Sequence, residues 1–446
     1  MRRVLAMRLT TVLPAALSLV AFLVSGAAGP AQQQAVCVAN AQRGTDLGEK
    51  INACDRVLGA RVGEITVSPG GPIRTQVTIS GGHTLRLRAG VYPSNFVDTG
   101  EDGIIRLRSG SRIVGAGQNA TILEESSERA IVNGLLNHWT VIINYDGSLS
   151  NYAASRDIRV SDLQIRGAAS AYNSAPPTIA LGNCHNCSVE RVTLDGTRSI
   201  GIQAGGGAEE GNLADGVVIR DCILRGVASQ SLAVVNGANI TLERNQIISP
   251  GANPSAEQAR RLQNPPPGNV PIDLEPNSAK DTMKNIVIRG NVIDASDSPG
   301  LNTLNGIVIQ NPTGIPAARF GPILVEGNRI IGARLSDTTN HIAATGIWIS
   351  GAQATRVINN YIQRAYDGIR VSSALDFEIS KNQLVSCGFT ANSSMVLEGV
   401  LRGSIVDNVF TIGPGDALAE GNDTVIAMGH DQARSRVVIA RNRQGR

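Results

Sequence analysis

Residues 346–386 read GIWISGAQATRVINNYIQRAYDGIRVSSALDFEISKNQLVS, and the same device occurs in them twice. A short apolar stretch opens with glycine (GIWIS, GIRVS), and an asparagine stands 13 residues after its first apolar residue: Ile347 to Asn360, then Ile369 to Asn382. Alternate residues of a strand face opposite ways. Ile347 and Ile349 therefore share one face with Ile369 and Val371, while Trp348 and Arg370 share the other.

The device extends outward in both directions. Its first strand recurs as GIQAG (201–205), SLAVV (231–235), PIDLE (271–275), GIVIQ (306–310) and SMVLE (394–398), and its asparagine as Asn245, Asn291, Asn328 and Asn408. The spacing of 13 also holds from Leu232 to Asn245 and from Met395 to Asn408, so one wall of the repeat has fixed length there. From the asparagine to the next strand the distance instead varies, from 9 residues (Asn360 to Ile369) to 27 (Asn245 to Ile272). Long insertions thus emerge beside one strand only. A single such coil cannot bury its apolar strands, but stacked coils share a continuous core. An asparagine at each turn can take the left-handed conformation while its amide bonds to the asparagines above and below.

This pattern resembles the right-handed parallel β-helix of the pectate-lyase-like superfamily, whose members include pectin-degrading enzymes, alginate epimerases and phage tailspikes. The N-terminal region carries the likeness too. A helix-like segment, TDLGEKINACDRVL (45–58), precedes LRLRAGVYPSNF (85–96) and IRLRSGSRIVGAGQNATIL (105–123), which are similar to the capping helix and first coils of that group. The resemblance implies an all-β, single-stranded right-handed parallel β-helix over 61–446, with a short capping helix within 32–60. It does not imply one activity, because this fold hosts several chemistries.

Residues 1–31 read as a signal peptide: Arg2, Arg3 and Arg8, an apolar run from Leu9 to Val24, then Ser25, Gly26, Ala27 and Ala28. No later stretch is apolar for long enough to span a membrane, so the expected location is secreted or periplasmic. The chain has 40 basic and 37 acidic side chains, and three of the arginines lie in the leader, which leaves the remainder formally neutral. That balance argues against a nucleic-acid partner. Oligomeric state is not legible in it.

Of six cysteines, Cys37 and Cys54 bracket the helix-like segment, for which Thr45 is the expected N-cap, and read as a disulfide. Cys184 and Cys187 form a single CxxC, either a local bridge or two inert thiols. No second CxxC completes a zinc site. Cys222 and Cys387 sit among strand residues as small core fillers.

Chemistry is expected on the outer face. Because Ile272 and Leu274 match the inward residues of neighbouring coils, Asp273 and Glu275 point away from the core. The register lines up Gln203, Ala233, Asp273, Val308, Trp348, Arg370 and Val396, with Gly205, Val235, Glu275, Gln310, Ser350, Ser372 and Glu398 beside them. Acids, Gln310, Trp348 and Arg370 on one strip suit a sugar-binding groove: an indole face stacks on a pyranose and the polar groups meet its hydroxyls. The segment 249–269, the longest insertion in the repeat region, would wall that groove with Glu257, Arg260 and Arg261; further walls would bring Asp297 and His341. Substrate binding is thus assigned to Gln310, Trp348, Arg370, Glu257, Asp297 and His341, and catalysis to Asp273 and Glu275.

Strand residues i and i+2 have α-carbons about 6.6 Å apart, compatible with the roughly 6.5–9.5 Å between the carboxyls of inverting glycosidases. The leading expectation is a glycoside hydrolase acting on a polysaccharide, with one of the two as acid and the other as base and with no cofactor. A lyase or epimerase acting on a polyuronate is the alternative, with Arg370, Lys280 or His341 moving the proton. For that case the resemblance implies Ca²⁺ held by Asp273 and Glu275, a thin set for an ion that takes about 6–8 oxygens. A third reading is a surface or matrix protein that only binds glycan.

Overall fold

The computed structural model describes residues 34–445 apart from 95–102, 126–130, 133–134, 137–139, 145–153, 168–176, 198–199, 207–211, 252–269, 299–305, 313, 333–344, 389–393, 401, 412–425 and 429–435. The leader read in 1–31 lies outside the described residues, as do Glu257 and His341. From Ala35 onward the chain is one compact unit, and apart from the antiparallel pair Ile131–Val132 and Leu135–Leu136 its described strands pair in parallel with the next coil. One wall is a sheet of twelve strands, from Val77–Ile79 through Ile272–Leu274 and Ile347–Ser350 to Ile426–Met428. The other two walls meet at a sharp bend; two long strands, Arg159–Arg166 and Ser188–Asp195, run through both. Ala35–Val38 already pairs with Gly63–Val67, so the segment before residue 60 supplies a strand as well as the helix α1, Leu47–Leu58.

The periodicity explains the core. Ile272, Leu274, Ile307, Ile309, Ile347, Ile349, Ile369 and Val371 are fully buried and point between the walls. Glycine opens these strands for want of space. A β-carbon on Gly306 would lie 2.4 Å from the Gly346 carbonyl oxygen, and one on Gly368 would lie 2.4 Å from Leu384 Cδ2.

The asparagines form one buried ladder. Asn245, Asn291, Asn328, Asn360, Asn382 and Asn408 are at most 1% exposed, and Asn442 extends the stack. Each Oδ1 from Asn291 to Asn442 accepts from both the backbone N–H and the Nδ2 of the preceding asparagine, at 2.9–3.0 Å. The left-handed conformation expected of these asparagines belongs to the residue before them: Arg244 (φ 52°), Gly290 (61°), Gly327 (63°), Asn359 (56°), Lys381 (57°), Asp407 (59°) and Arg441 (52°). The asparagine thereby keeps its side chain inside, where it satisfies backbone groups that the bend frees from the sheet. The strained residues face solvent. Some pair across coils, as Arg244 does with Asp221 at 2.8 Å and Arg441 with Asp407 at 2.7 Å.

At the N-terminal end Asp46, not Thr45, caps α1. Its Oδ1 accepts from Gly48 N–H at 2.6 Å and its Oδ2 from Thr75 Oγ1 at 2.6 Å, so a single carboxylate caps the helix and ties it to the next segment. Glu49, in the first turn, reaches back past the cap to accept from the Thr45 N–H at 2.7 Å. Cys37 is disulfide-bonded to Cys54 and Cys184 to Cys187, while Cys222 and Cys387 are buried free thiols. No described helix is long and apolar enough to cross a membrane.

Candidate active site

Parallel pairing aligns Gln203, Ala233, Asp273, Val308, Trp348, Arg370 and Val396 in one column on the outer face of the twelve-stranded sheet. Gln310, Ser350, Ser372 and Glu398 form a second column beside it. Facing away from the core does not make these positions exposed. Ala233, Asp273 and Val308 are only 1%, 2% and 1% exposed, whereas Glu275, Gln310, Trp348 and Arg370 are half-buried.

Asp273 and Glu275 are joined by a residue that the sequence reading missed. The Nε2 of Gln230, from the preceding coil, donates to Asp273 Oδ2 at 2.7 Å and to Glu275 Oε2 at 2.7 Å. Two oxygens bonded to one nitrogen lie no farther apart than twice that distance. Burial first, then the charge of Glu275, pushes the Asp273 carboxyl up to about 8, against the pull of the Gln230 and Gln310 amides. Both causes favour the protonated form of Asp273. The turn after Glu275 is fixed by Asp281, whose Oδ2 accepts from the Asn277 and Ser278 N–H groups at 2.8 and 2.7 Å.

Three coils along the column, Arg370 is clamped. Its Nη1 donates to Asp367 Oδ2 at 2.9 Å and its Nη2 to Glu398 Oε1 at 2.8 Å. Asp367 is fully buried, and that burial raises its pKa despite the guanidinium. Trp348 lies between Val308 and Arg370, and its indole N–H is buried with no hydrogen-bond partner among the described residues. Asp297 is exposed in the turn after Val292–Asp294, a strand of another wall.

Gln230 and Asp367 escape the strand alternation because they belong to the turn that enters the sheet. Each stands two residues before the first inward side chain, Leu232 or Ile369, a slot filled elsewhere by Val270 and Thr345. That slot is the signal by which both could be found.

No family model matches the chain, and neither does any curated protein sequence. Solved structures do match. The A-module of the Azotobacter vinelandii mannuronan C-5 epimerase AlgE4 superposes with a TM-score of 0.60 at 15% identity, covering 90% of this chain and 91% of that one. A tailspike protein mutant of E. coli bacteriophage HK620, in complex with a pentasaccharide, gives 0.56 at 14% identity, over 91% of this chain and 64% of that one. The exopolygalacturonase of Thermotoga maritima gives 0.52 at 12% identity, over 88% and 91%. The fold is a right-handed parallel β-helix, as the repeat implies.

Proposed function

We propose that the chain is an exported, carbohydrate-active protein, a glycoside hydrolase whose polysaccharide substrate lies along the outer face of the twelve-stranded sheet. The observation that carries this is the pair itself: a buried carboxyl beside a half-exposed one, both bonded to the same amide nitrogen at 2.7 Å. The names of the similar structures, an epimerase of mannuronan, a tailspike solved with a pentasaccharide and a polygalacturonase, support a carbohydrate ligand. Export rests on the basic and apolar leader.

The two carboxyls are closer than the roughly 6.5–9.5 Å that leaves room for a water between an acid and a base, which disfavours the inverting geometry considered from the sequence. The pair works instead as one unit. The pair's one proton passes from Asp273 to Glu275, and from that half-exposed carboxyl to the glycosidic oxygen as the C–O bond breaks, which leaves both carboxyls ionised. The doubly ionised pair then takes a proton from the water that adds to the anomeric carbon, which restores the starting state. A 2% exposed carboxyl facing an amide donor is a poor ligand for Ca²⁺. Arg370, held by two carboxylates, is a poor proton carrier for a lyase.

The test is a panel of neutral and uronate polysaccharides. New reducing ends without the ultraviolet absorbance of an unsaturated uronate indicate hydrolysis, that absorbance indicates a lyase, and binding with neither product indicates a glycan-binding protein. On the substrate so found, Asp273→Asn and Glu275→Gln should each lower turnover by about 10²–10⁴-fold. Full activity in both variants would remove the pair from the chemistry.

A further inference from the structure

We propose that Gln230 is a positioning residue that ties Asp273 and Glu275 together by donating from one amide nitrogen to an oxygen of each, and so sets the pH at which the pair releases its proton. This rests on the pair being the site of chemistry, but the contact itself stands on geometry. Gln230 lies on the coil before Asp273, and its carbonyl oxygen accepts from the Gly201 N–H at 2.8 Å, so its backbone is fixed between two coils. A primary amide has two N–H bonds on one nitrogen. Here both are spent on the pair, each at 2.7 Å.

The consequence is electrostatic. Two carboxylates this close do not both ionise readily, so one proton stays with the pair. A neutral double donor stabilises the remaining negative charge without neutralising it, as a lysine in its place would. It also draws one oxygen of each group to a common point, while the strand that carries both residues fixes the spacing of their α-carbons. Of the groups that act on Asp273, burial and Glu275 favour the protonated form, and Gln230 is the first of those that favour the anion. Removing its donors therefore moves the proton's release in a fixed direction, upward in pH. A residue that only filled space would leave that release where it is.

The experiment reads the proton directly in the intact chain. Aspartate is labelled with ¹³C at the side-chain carboxyl, the Asp273 signal is identified by its loss in Asp273→Asn, and its titration is followed by NMR. Gln230→Met keeps the length and removes both donors. The Asp273 midpoint should then rise by about 1–2 pH units, the equivalent of one or two charge-assisted hydrogen bonds. Gln230→Glu places a third carboxyl there and should move the midpoint the same way and farther, which keeps the test available if one variant folds poorly. Where wild type hydrolyses a polysaccharide, the alkaline limb of its pH–rate profile should move up with the NMR midpoint in Gln230→Met. An unchanged Asp273 midpoint in the variants overturns the role of Gln230. A shifted midpoint in a protein that cleaves no polysaccharide upholds the positioning of the pair and removes only the hydrolase.

Discussion

Replacing Asn382 by leucine tests whether the buried ladder holds the coils together. Asn382 Oδ1 accepts from the Asn360 N–H and Nδ2, both at 2.9 Å, and its Nδ2 donates to Val357 O at 2.9 Å and Asn408 Oδ1 at 3.0 Å. The consequences of losing these four bonds differ. Asn360 Nδ2 retains Val325 O and Ile358 O as acceptors, and Asn408 Oδ1 retains the backbone N–H of residue 382. The Asn360 backbone N–H keeps nothing, and it is buried. That orphan costs about 1–3 kcal/mol, and the other three bonds about 0.5–1.5 kcal/mol each, offset by burial of a leucine side chain at about 1.5–3 kcal/mol. The net loss is about 3 kcal/mol. Urea unfolding of the intact chain measures it, and exchange of the Asn360 amide, whose acceptor is gone, should accelerate by about 10²-fold. A loss no larger than that of Gln383→Leu, at the exposed next position, together with unchanged exchange at Asn360, would refute the reasoning.

Two further outcomes follow from the outer face. Because the folded Asp273 carboxyl releases its proton far above the unfolded value of about 3.9, the native state binds the extra proton between those limits and stability falls as pH rises from about 4 to about 8. Asp273→Asn should flatten that fall, so the variant's melting temperature should overtake wild type on the alkaline side; parallel melting curves across the range would contradict the burial. Trp348→Ala removes a half-buried indole but no proton donor, so it should weaken glycan affinity by about tenfold with turnover little changed, as calorimetric titration and kinetics on the substrate found by the panel would show. An affinity equal to wild type would take Trp348 out of the groove.

Two spacings made the coil legible, the alternation in the strand and the 13 residues to the asparagine, because both report positions that must be buried. The bend itself was misread. Asparagine is a common left-handed residue, so the eye assigns that conformation to Asn382; yet Lys381 has φ 57° and the asparagine turns inward. The slot before it holds arginine, glycine, asparagine, lysine and aspartate in different coils, which hides it from composition. In the site, alternation correctly turned Asp273 and Glu275 away from the core, but it cannot say what lies over that face. Asp273 points away from the core and is nevertheless buried. Gln230 and Asp367 were missed for a related reason: they approach the face from a turn, where no period of two applies.

The arrangement along the column explains how a carboxyl whose protonated form is favoured and an arginine coexist on one face. A guanidinium one coil away, about 4.8 Å along the stack, would favour the Asp273 anion and draw its release back toward the ordinary carboxylate range. Val308 and Trp348 occupy the two intervening coils, which places Arg370 about 14 Å along the axis from Asp273. At that range its charge is already weakened by screening where solvent reaches it, and Asp367 and Glu398 face it directly. Among the described residues, the amides of Gln230 and Gln310 bond to the acidic pair, and they do so without supplying a positive charge. Burial and the mutual repulsion of the pair are therefore left to decide the protonation state. Val308 and Trp348 thus separate the acidic pair from Arg370 by distance along the stack.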